Sequence, residues 1–270
     1  MKRLKSIKGF TLLELLIAAG ISVIIVGSVL SLYITQHKHL IVQDQISDMQ
    51  QSVRAGMEEL ATKIRMAGYN VPTGLSAVSA YNSDPDSIRV IYDSNLLSDV
   101  TTNQTMPQTT ADIRCDGDIS SLGSGDWLYI YDPLAQVGEF FQASLVQAGA
   151  GVIQHGAMAL SRCYPDNSTI SKMNSIKYYI DSATDSTHPS LMIQNFNDQP
   201  QIYSDNITDL QFQYVLSSGA TVDVPPASNM IREVIIRMTS RTDRADEDFA
   251  GGYRTRNLQT KVKVRNLGIN

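Results

Sequence analysis

Cysteine is nearly missing from this chain of 270 residues, with Cys115 and Cys163 the only two. Two sulfurs with no histidine at ligand spacing from either argue against a structural zinc site. Histidine is equally sparse, and His37, His39, His155 and His188 form no metal-binding pattern. No Gly-x-Ser-x-Gly elbow is present, so a hydrolase nucleophile turn finds no support. Gly149-Ala150-Gly151-Val152-Ile153-Gln154 lacks the third glycine and the strand-to-helix setting of a dinucleotide loop, which leaves a hairpin turn as its reading. With no catalytic constellation in view, the chain reads as a non-enzyme that needs no cofactor. There is no internal repeat and no low-complexity tract. Charge is missing from Phe10 to Ile34 with the single exception of Glu14, and no proline interrupts that run.

What is present there is a membrane span. Twenty-five helical residues from Phe10 to Ile34 extend about 37 Å, enough to cross a bilayer with some tilt. Lys2, Arg3, Lys5 and Lys8 precede them and place the N-terminus on the cytoplasmic side, so the chain after Ile34 is exported. A cleaved secretory signal has a shorter apolar core followed by a small-x-small site. Ser28, Ser31 and Thr35 supply no such exit. A carboxylate in mid-span costs up to about 2.5 to 3.5 kcal/mol, less near the interface, which disfavours chance placement of Glu14 and leaves an uncleaved signal anchor as the plain alternative.

Lys8-Gly9-Phe10-Thr11-Leu12-Leu13-Glu14-Leu15-Leu16-Ile17-Ala18 resembles the processing site of type IV pilins and type II secretion pseudopilins. The resemblance implies that a membrane prepilin peptidase cuts between Gly9 and Phe10, that Phe10 becomes the N-methylated first residue, and that the apolar helix stays on the mature protein. It also implies a role for Glu14 in assembly, where its carboxylate meets the Phe10 amine of a neighbouring subunit. Gly9 suits a scissile position because a residue without a side chain lets a protease approach the backbone closely.

The composition is 43% apolar and 18% charged, with a formal net charge of -5. Loss of residues 1–9 removes four basic side chains and no acidic one, leaving the mature chain near -9. Such a balance argues against a chain that coats nucleic acid as a whole. Export makes a Cys115–Cys163 disulfide the leading expectation for the two cysteines, with two buried free thiols as the alternative.

Helical periodicity continues past the span. Val42, Ile46, Met49, Val53, Met57, Leu60 and Ile64 recur every three or four residues, the stripe of an amphipathic helix. Gly68 marks its stop, with Pro72 beyond. From residue 87 the period becomes two. Strands are expected at Ile88 to Tyr92, Trp127 to Tyr131, Leu210 to Leu216 and Val234 to Met238. Further strands are expected at Gly138 to Val146, Ile176 to Ile180, Ser190 to Ile193 and Leu258 to Arg265. The expected fold class is α+β, a long N-terminal helix packed on an antiparallel β-sheet head. Four parts follow: leader 1–9, membrane or filament-core half of the helix 10–34, amphipathic half 35–68, and exported head 69–270. Asn95 to Gly125, Ser217 to Asn229 and Thr242 to Gly252 read as surface loops, the first a long excursion around Cys115.

Two acidic groups, Asp112, Asp116 and Asp118, then Asp243, Asp246, Glu247 and Asp248, match no twelve-residue calcium loop and read as solvated turns, with a calcium ion as the alternative. Lys261, Lys263 and Arg265 share one face of a strand, with Arg254 and Arg256 before them, a solvated basic face with acidic subunits or DNA phosphates as alternative contacts. Arg54-Ala55-Gly56-Met57-Glu58-Glu59-Leu60, Ile64-Arg65-Met66-Ala67-Gly68-Tyr69 and the closing Val262-Lys263-Val264-Arg265-Asn266-Leu267 resemble PilW-type minor pilins. That resemblance implies a minor type IV pilin that primes assembly at or near the pilus tip. Its expected partners are prepilin peptidase, other minor pilins, the major pilin, a large tip adhesin and, before assembly, the inner membrane. The J-type pseudopilin of type II secretion has a comparable plan, and a pilus-borne adhesin or DNA-binding module is the alternative of a different class.

Overall fold

The computed structural model describes residues 10–156, 159–196, 198–246 and 248–267. Its first element is one unbroken helix, α1 (Leu12–Met66), of 55 residues and about 82 Å. The face of α1 that the stripe anticipates is buried from Met49 onward, where Val53, Met57, Leu60 and Ile64 are joined by Gly56 and Ala61. Val42 and Ile46 are half-buried, so the helix enters the head gradually. At Gly56 the approach is close: a Cβ there would lie 3.1 Å from Leu191 Cδ2 and from Met238 Sδ. The helix ends at Ala67, whose N–H bonds back to the carbonyls of Ile64 and Lys63. Gly68 then takes φ +79°, and its N–H turns to the Ile91 carbonyl at 3.0 Å. Left-handed backbone of this kind suits a residue without Cβ.

Sixteen strands follow among the described residues, all paired antiparallel. β1 (Val78–Tyr81) and β2 (Ser87–Asp93) begin a five-stranded sheet. β3 (Thr101–Thr102), β4 (Ile113–Asp116), β5 (Trp127–Asp132), β6 (Val137–Gln142), β7 (Leu145–Gln147), β8 (Val152–Gln154) and β9 (Thr169–Ser171) form a separate seven-stranded sheet of order β6-β5-β9-β3-β4-β8-β7. β10 (Met173–Asp181), β11 (Ser190–Asn195) and β12 (Gln201–Asp205) return to the first sheet and complete its order, β1-β2-β10-β11-β12. β13 (Ile207–Leu216), β14 (Thr221–Val222), β15 (Ile231–Arg241) and β16 (Thr255–Lys263) form a four-stranded sheet of order β14-β13-β15-β16.

The first and third sheets share one core with the helix. Leu60 and Ile64 of α1, Ile88 and Val90 of β2, Phe212 of β13, and Val234, Ile236 and Met238 of β15 are buried together. The alternation read in these strands is the consequence: their odd or even members face the helix, as period-two geometry demands. Polar contacts fix the helix lengthwise. Ser240 Oγ donates to the Met49 carbonyl at 3.3 Å, Ser204 Oγ donates to the Ser52 carbonyl at 3.1 Å, and Asn266 Nδ2 reaches the Met66 carbonyl at 3.4 Å. Tyr178 Oη donates to Glu59 Oε1 at 2.8 Å, and burial, then that carboxylate, push the phenol well above its ordinary pKa.

The seven-stranded sheet is an insertion. The chain leaves the first sheet after β2 and re-enters it at β10, and Ser94 N bonds to the Lys172 carbonyl at 2.9 Å across the entry. This part has its own core, in which Leu128, Ile130, Phe141, Ile153 and Ile170 pack with Val100, Ile113 and Ile119. Residues 95–125 are therefore not a surface excursion. They contribute β3, β4 and seven residues of that core, Leu97, Val100, Met106, Ile113, Cys115, Ile119 and Leu122. The apolar residues there are scattered among Asp, Ser and Thr without a period, and backbone bonds such as Met106 N to the Tyr164 carbonyl, 2.9 Å, satisfy the irregular path. The stretch Gly138 to Val146 is two strands rather than one. At residues 143–144 it exchanges partners, with Ala143 N bonding to the Asp126 carbonyl and Ser144 N to the Gln154 carbonyl. Tyr129 and Tyr131 on the opposite face of β5 meet Ile91 and Met173 of the first sheet, which joins the two parts.

Candidate functional site

The N-terminal end of α1 is built by a reciprocal cap. Thr11 takes an extended conformation, its Oγ1 accepts from Glu14 N at 3.3 Å, and Thr11 N donates to Glu14 Oε2 at 2.9 Å. Thr11 Oγ1 also donates to Glu14 Oε2 at 3.0 Å. This capping box satisfies two of the orphan donors of a helix start and places a carboxylate where the helix dipole favours it. Phe10 stands 89% exposed at the tip. Gly9 and the basic leader lie outside the described residues, as does the Gly9–Phe10 bond. The capping role of Glu14 was within reach of the sequence, since Thr-x-x-Glu ahead of an apolar run is its signature.

Behind the cap the apolar side chains are exposed. Leu12 is 79% exposed, Val23 73% and Ile34 56%. The segment is long and apolar enough to cross a membrane. Its hydroxyls do not compete with that setting, because Ser22, Ser28 and Thr35 donate to the Ala18, Ile24 and Ser31 carbonyls one turn back, at 2.7, 2.9 and 3.0 Å. A surface of this size and polarity demands a non-aqueous neighbour, whether lipid or other helices.

The other sequence candidates are dispersed. The expected disulfide does not form: Cys115 and Cys163 are both free. Cys115 sits on an inward position of β4 and packs in the inserted core, whereas Cys163 precedes the buried Tyr164 and points outward. Burial, then the neighbouring Asp116 charge, push the Cys115 thiol up to about 12. It is therefore a packing residue rather than a nucleophile. Among the described residues no three His, Cys, Asp or Glu side chains are grouped to hold a metal ion. Asp112 accepts from Gln154 Nε2, Asp116 from Asn103 Nδ2 and Asp118 from Ser120 N, each in its own local contact. Asp246 is held by Arg254 at 2.8 Å, and Glu247 lies outside the described residues.

Lys261 and Lys263 lie on the solvent face of β16 opposite Ile235 and Glu233, and Lys261 is ion-paired with Glu233. The Gly149 segment forms the tight β7–β8 connection, with Gly151 at φ +64°. One cluster escaped the reading altogether. His188, between β10 and β11, contacts Asp185 Oδ2 at 3.0 Å and Asp243 Oδ1 at 3.2 Å, so it ties that turn to the β15–β16 loop. No known family model matches the chain, and no curated protein matches it significantly.

Proposed function

We propose that this chain is a minor type IV pilin, cleaved between Gly9 and Phe10 and N-methylated on Phe10, that primes filament assembly at or near the pilus tip. The observation that carries the reading is Glu14, the single charge in an exposed apolar run of 25 residues, Phe10 to Ile34, that continues into a helix half anchored in a β-rich head. The basic leader holds the N-terminus at the cytoplasmic face, and the apolar half stores the subunit in the inner membrane with the head on the periplasmic side. Cleavage creates an amine on Phe10. In the single chain Thr11 supplies hydrogen bonds to Glu14, but a hydroxyl and an amide do not neutralise a carboxylate. The Phe10 amine of a neighbouring subunit does, which lets the apolar half move from lipid to a filament core without stranding a charge.

The test is the intact mass of the membrane-extracted protein. Loss of residues 1–9 with the gain of one methyl group supports the proposal, and an uncleaved chain overturns it. Co-purification then separates the two machines that use this signal, since a pilus subunit recovers pilins and a pseudopilin recovers secretion components.

A further inference from the structure

The inserted sheet turns one face to its own core and the other toward the first sheet, and the cover over that second face is incomplete. Tyr129 and Tyr131 of β5 pack there with Ile91 and Met173. The row runs on from Tyr131 to Thr169 of β9 and then to Thr101 of β3, each the ladder partner of the one before. Residues paired in this way point to one side of a sheet, with Cβ atoms about 4.5 to 5.5 Å apart. Their chain neighbours Ile170 and Thr102 are buried, whereas Thr169 and Thr101 are half-buried and line a cleft of about 520 Å³. That volume suits a small ligand.

The ladder also orders the chemistry of the cleft. Asp99 lies two residues before Thr101 and Pro133 two residues after Tyr131, so the Cα of each is within about 7 Å of its end of the row. Two strand spacings, about 9.6 Å, separate those ends. Asp99 is the one formal charge of the lining. Its Oδ2 accepts from Ser98 Oγ at 3.2 Å, and its Oδ1 accepts from no group among the described residues. The side-chain hydroxyls of Thr101, Thr169 and Ser171 are equally uncommitted among the described residues. Asn70, whose Nδ2 donates to Asp93 Oδ2, brings an amide oxygen.

These groups discriminate between ligand classes. An anion meets Asp99 and no cation, and a metal ion finds one carboxylate where it needs several charged oxygens. An acyl chain strips water from Asp99 and the hydroxyls without replacing it. A peptide strand needs an open sheet edge, but Ile170 N already donates to the Val100 carbonyl and Thr102 N to the Ser168 carbonyl. A neutral saccharide satisfies every group. Its hydroxyls donate to Asp99 and Asn70 and exchange hydrogen bonds with the threonines, and the C–H face of a ring rests on the apolar end at Pro133.

We propose that this cleft binds a neutral oligosaccharide, laid along the row from Asp99 through Thr101 and Thr169 to Tyr131 and Pro133. The site uses nothing of the apolar half of α1, so its failure leaves the pilin reading untouched.

The experiment titrates the full chain, held in a sugar-free zwitterionic detergent, with maltose, cellobiose, lactose and diacetylchitobiose by calorimetry, and separately with a hyaluronan tetrasaccharide. Saturable binding of at least one neutral sugar, with hyaluronan at least tenfold weaker, is the expected result. Asp99→Asn, at an exposed position, weakens that binding about tenfold, the worth of a hydrogen bond to a charged group. Thr101→Val combined with Thr169→Val weakens it as much, Thr169→Ser keeps it within twofold, and Thr255→Val, which removes a hydroxyl from β16, leaves it unchanged. Circular dichroism melting reports whether each variant is folded, and where the double variant is not, Asp99→Asn alone decides. Failure of all four sugars to bind, equal affinity for hyaluronan, or full affinity in the folded variants of Asp99 and of the two threonines overturns the proposal.

Discussion

Glu14 serves two purposes that a substitution can separate. As the third helical residue it closes the cap with Thr11, and under the proposed pilin reading it is also the only charge of the apolar run and needs a cationic partner during assembly. Glu14→Gln keeps an acceptor for the Thr11 N–H and removes the charge, whereas Glu14→Val removes both. Both variants are expected to be inserted and cleaved, and neither to appear in sheared filaments by immunoblot; normal incorporation of Glu14→Gln would show that capping, not charge, is the requirement. Asp185 belongs to the same scale. Hydrogen bonds from the Thr187 hydroxyl, then from His188, hold its carboxyl down at about 2 against an ordinary 3.8. A carboxylate lowered on folding contributes stability above its unfolded value and loses it as pH falls through the folded one. Thermal stability is therefore expected to drop between about pH 4 and pH 2, less steeply in Asp185→Asn, as followed by circular dichroism. Glu14 was legible because a lone charge in an apolar run stands out. The Asp185–His188–Asp243 contact was not, since only the packing of two sheets brings those loops together.

At the scale of elements, the second half of α1, β13 and β15 were legible for one reason: each buries mainly one face against the shared core, so burial writes its period into the sequence. Apart from β5, whose alternation was read at Trp127 to Tyr131, the strands of the insertion do not behave this way. β3 has two residues, and β8 and β9 have three each, too short for any period to register. β6 and β7 sit in one apolar-rich stretch, and only their change of hydrogen-bond partner divides them. The stop of α1 was marked by Gly68, and the structure gives that mark a cost. An alanine Cβ there would approach Leu267 Cδ2 to 2.5 Å on a left-handed backbone. Gly68→Ala is expected to lose about 2 kcal/mol in denaturant unfolding of the full chain, combining the left-handed penalty with displacement of Leu267. A loss below about 0.5 kcal/mol would mean that the Leu267 contact gives way freely.

At the scale of the molecule, the insertion is joined to the rest at the Ser94–Lys172 entry and by the packing of Tyr129 and Tyr131 on Ile91 and Met173 and of Trp127 and Phe140 on Phe196, while its own core shares no residue with the core around α1. Replacing residues 95–171 by Asn-Gly makes β2 and β10 a direct hairpin. With Ile91 and Met173 changed to threonine to cover the vacated junction, the shortened chain is expected to unfold in one cooperative transition; a chain with no such transition would show that the insertion is needed for the rest to fold. This division was hidden because neither its boundaries nor its composition differ sharply from the loops of the first sheet. The path of α1 has another consequence, a mechanical one. From Met49 to Met66 it runs in the same direction as β15's outer neighbour, bonded at one end by Ser240 and at the other by Asn266. Tension applied at Phe10 therefore loads this whole contact in shear rather than peeling it open one turn at a time, so the head is gripped along its length by the element that pulls it.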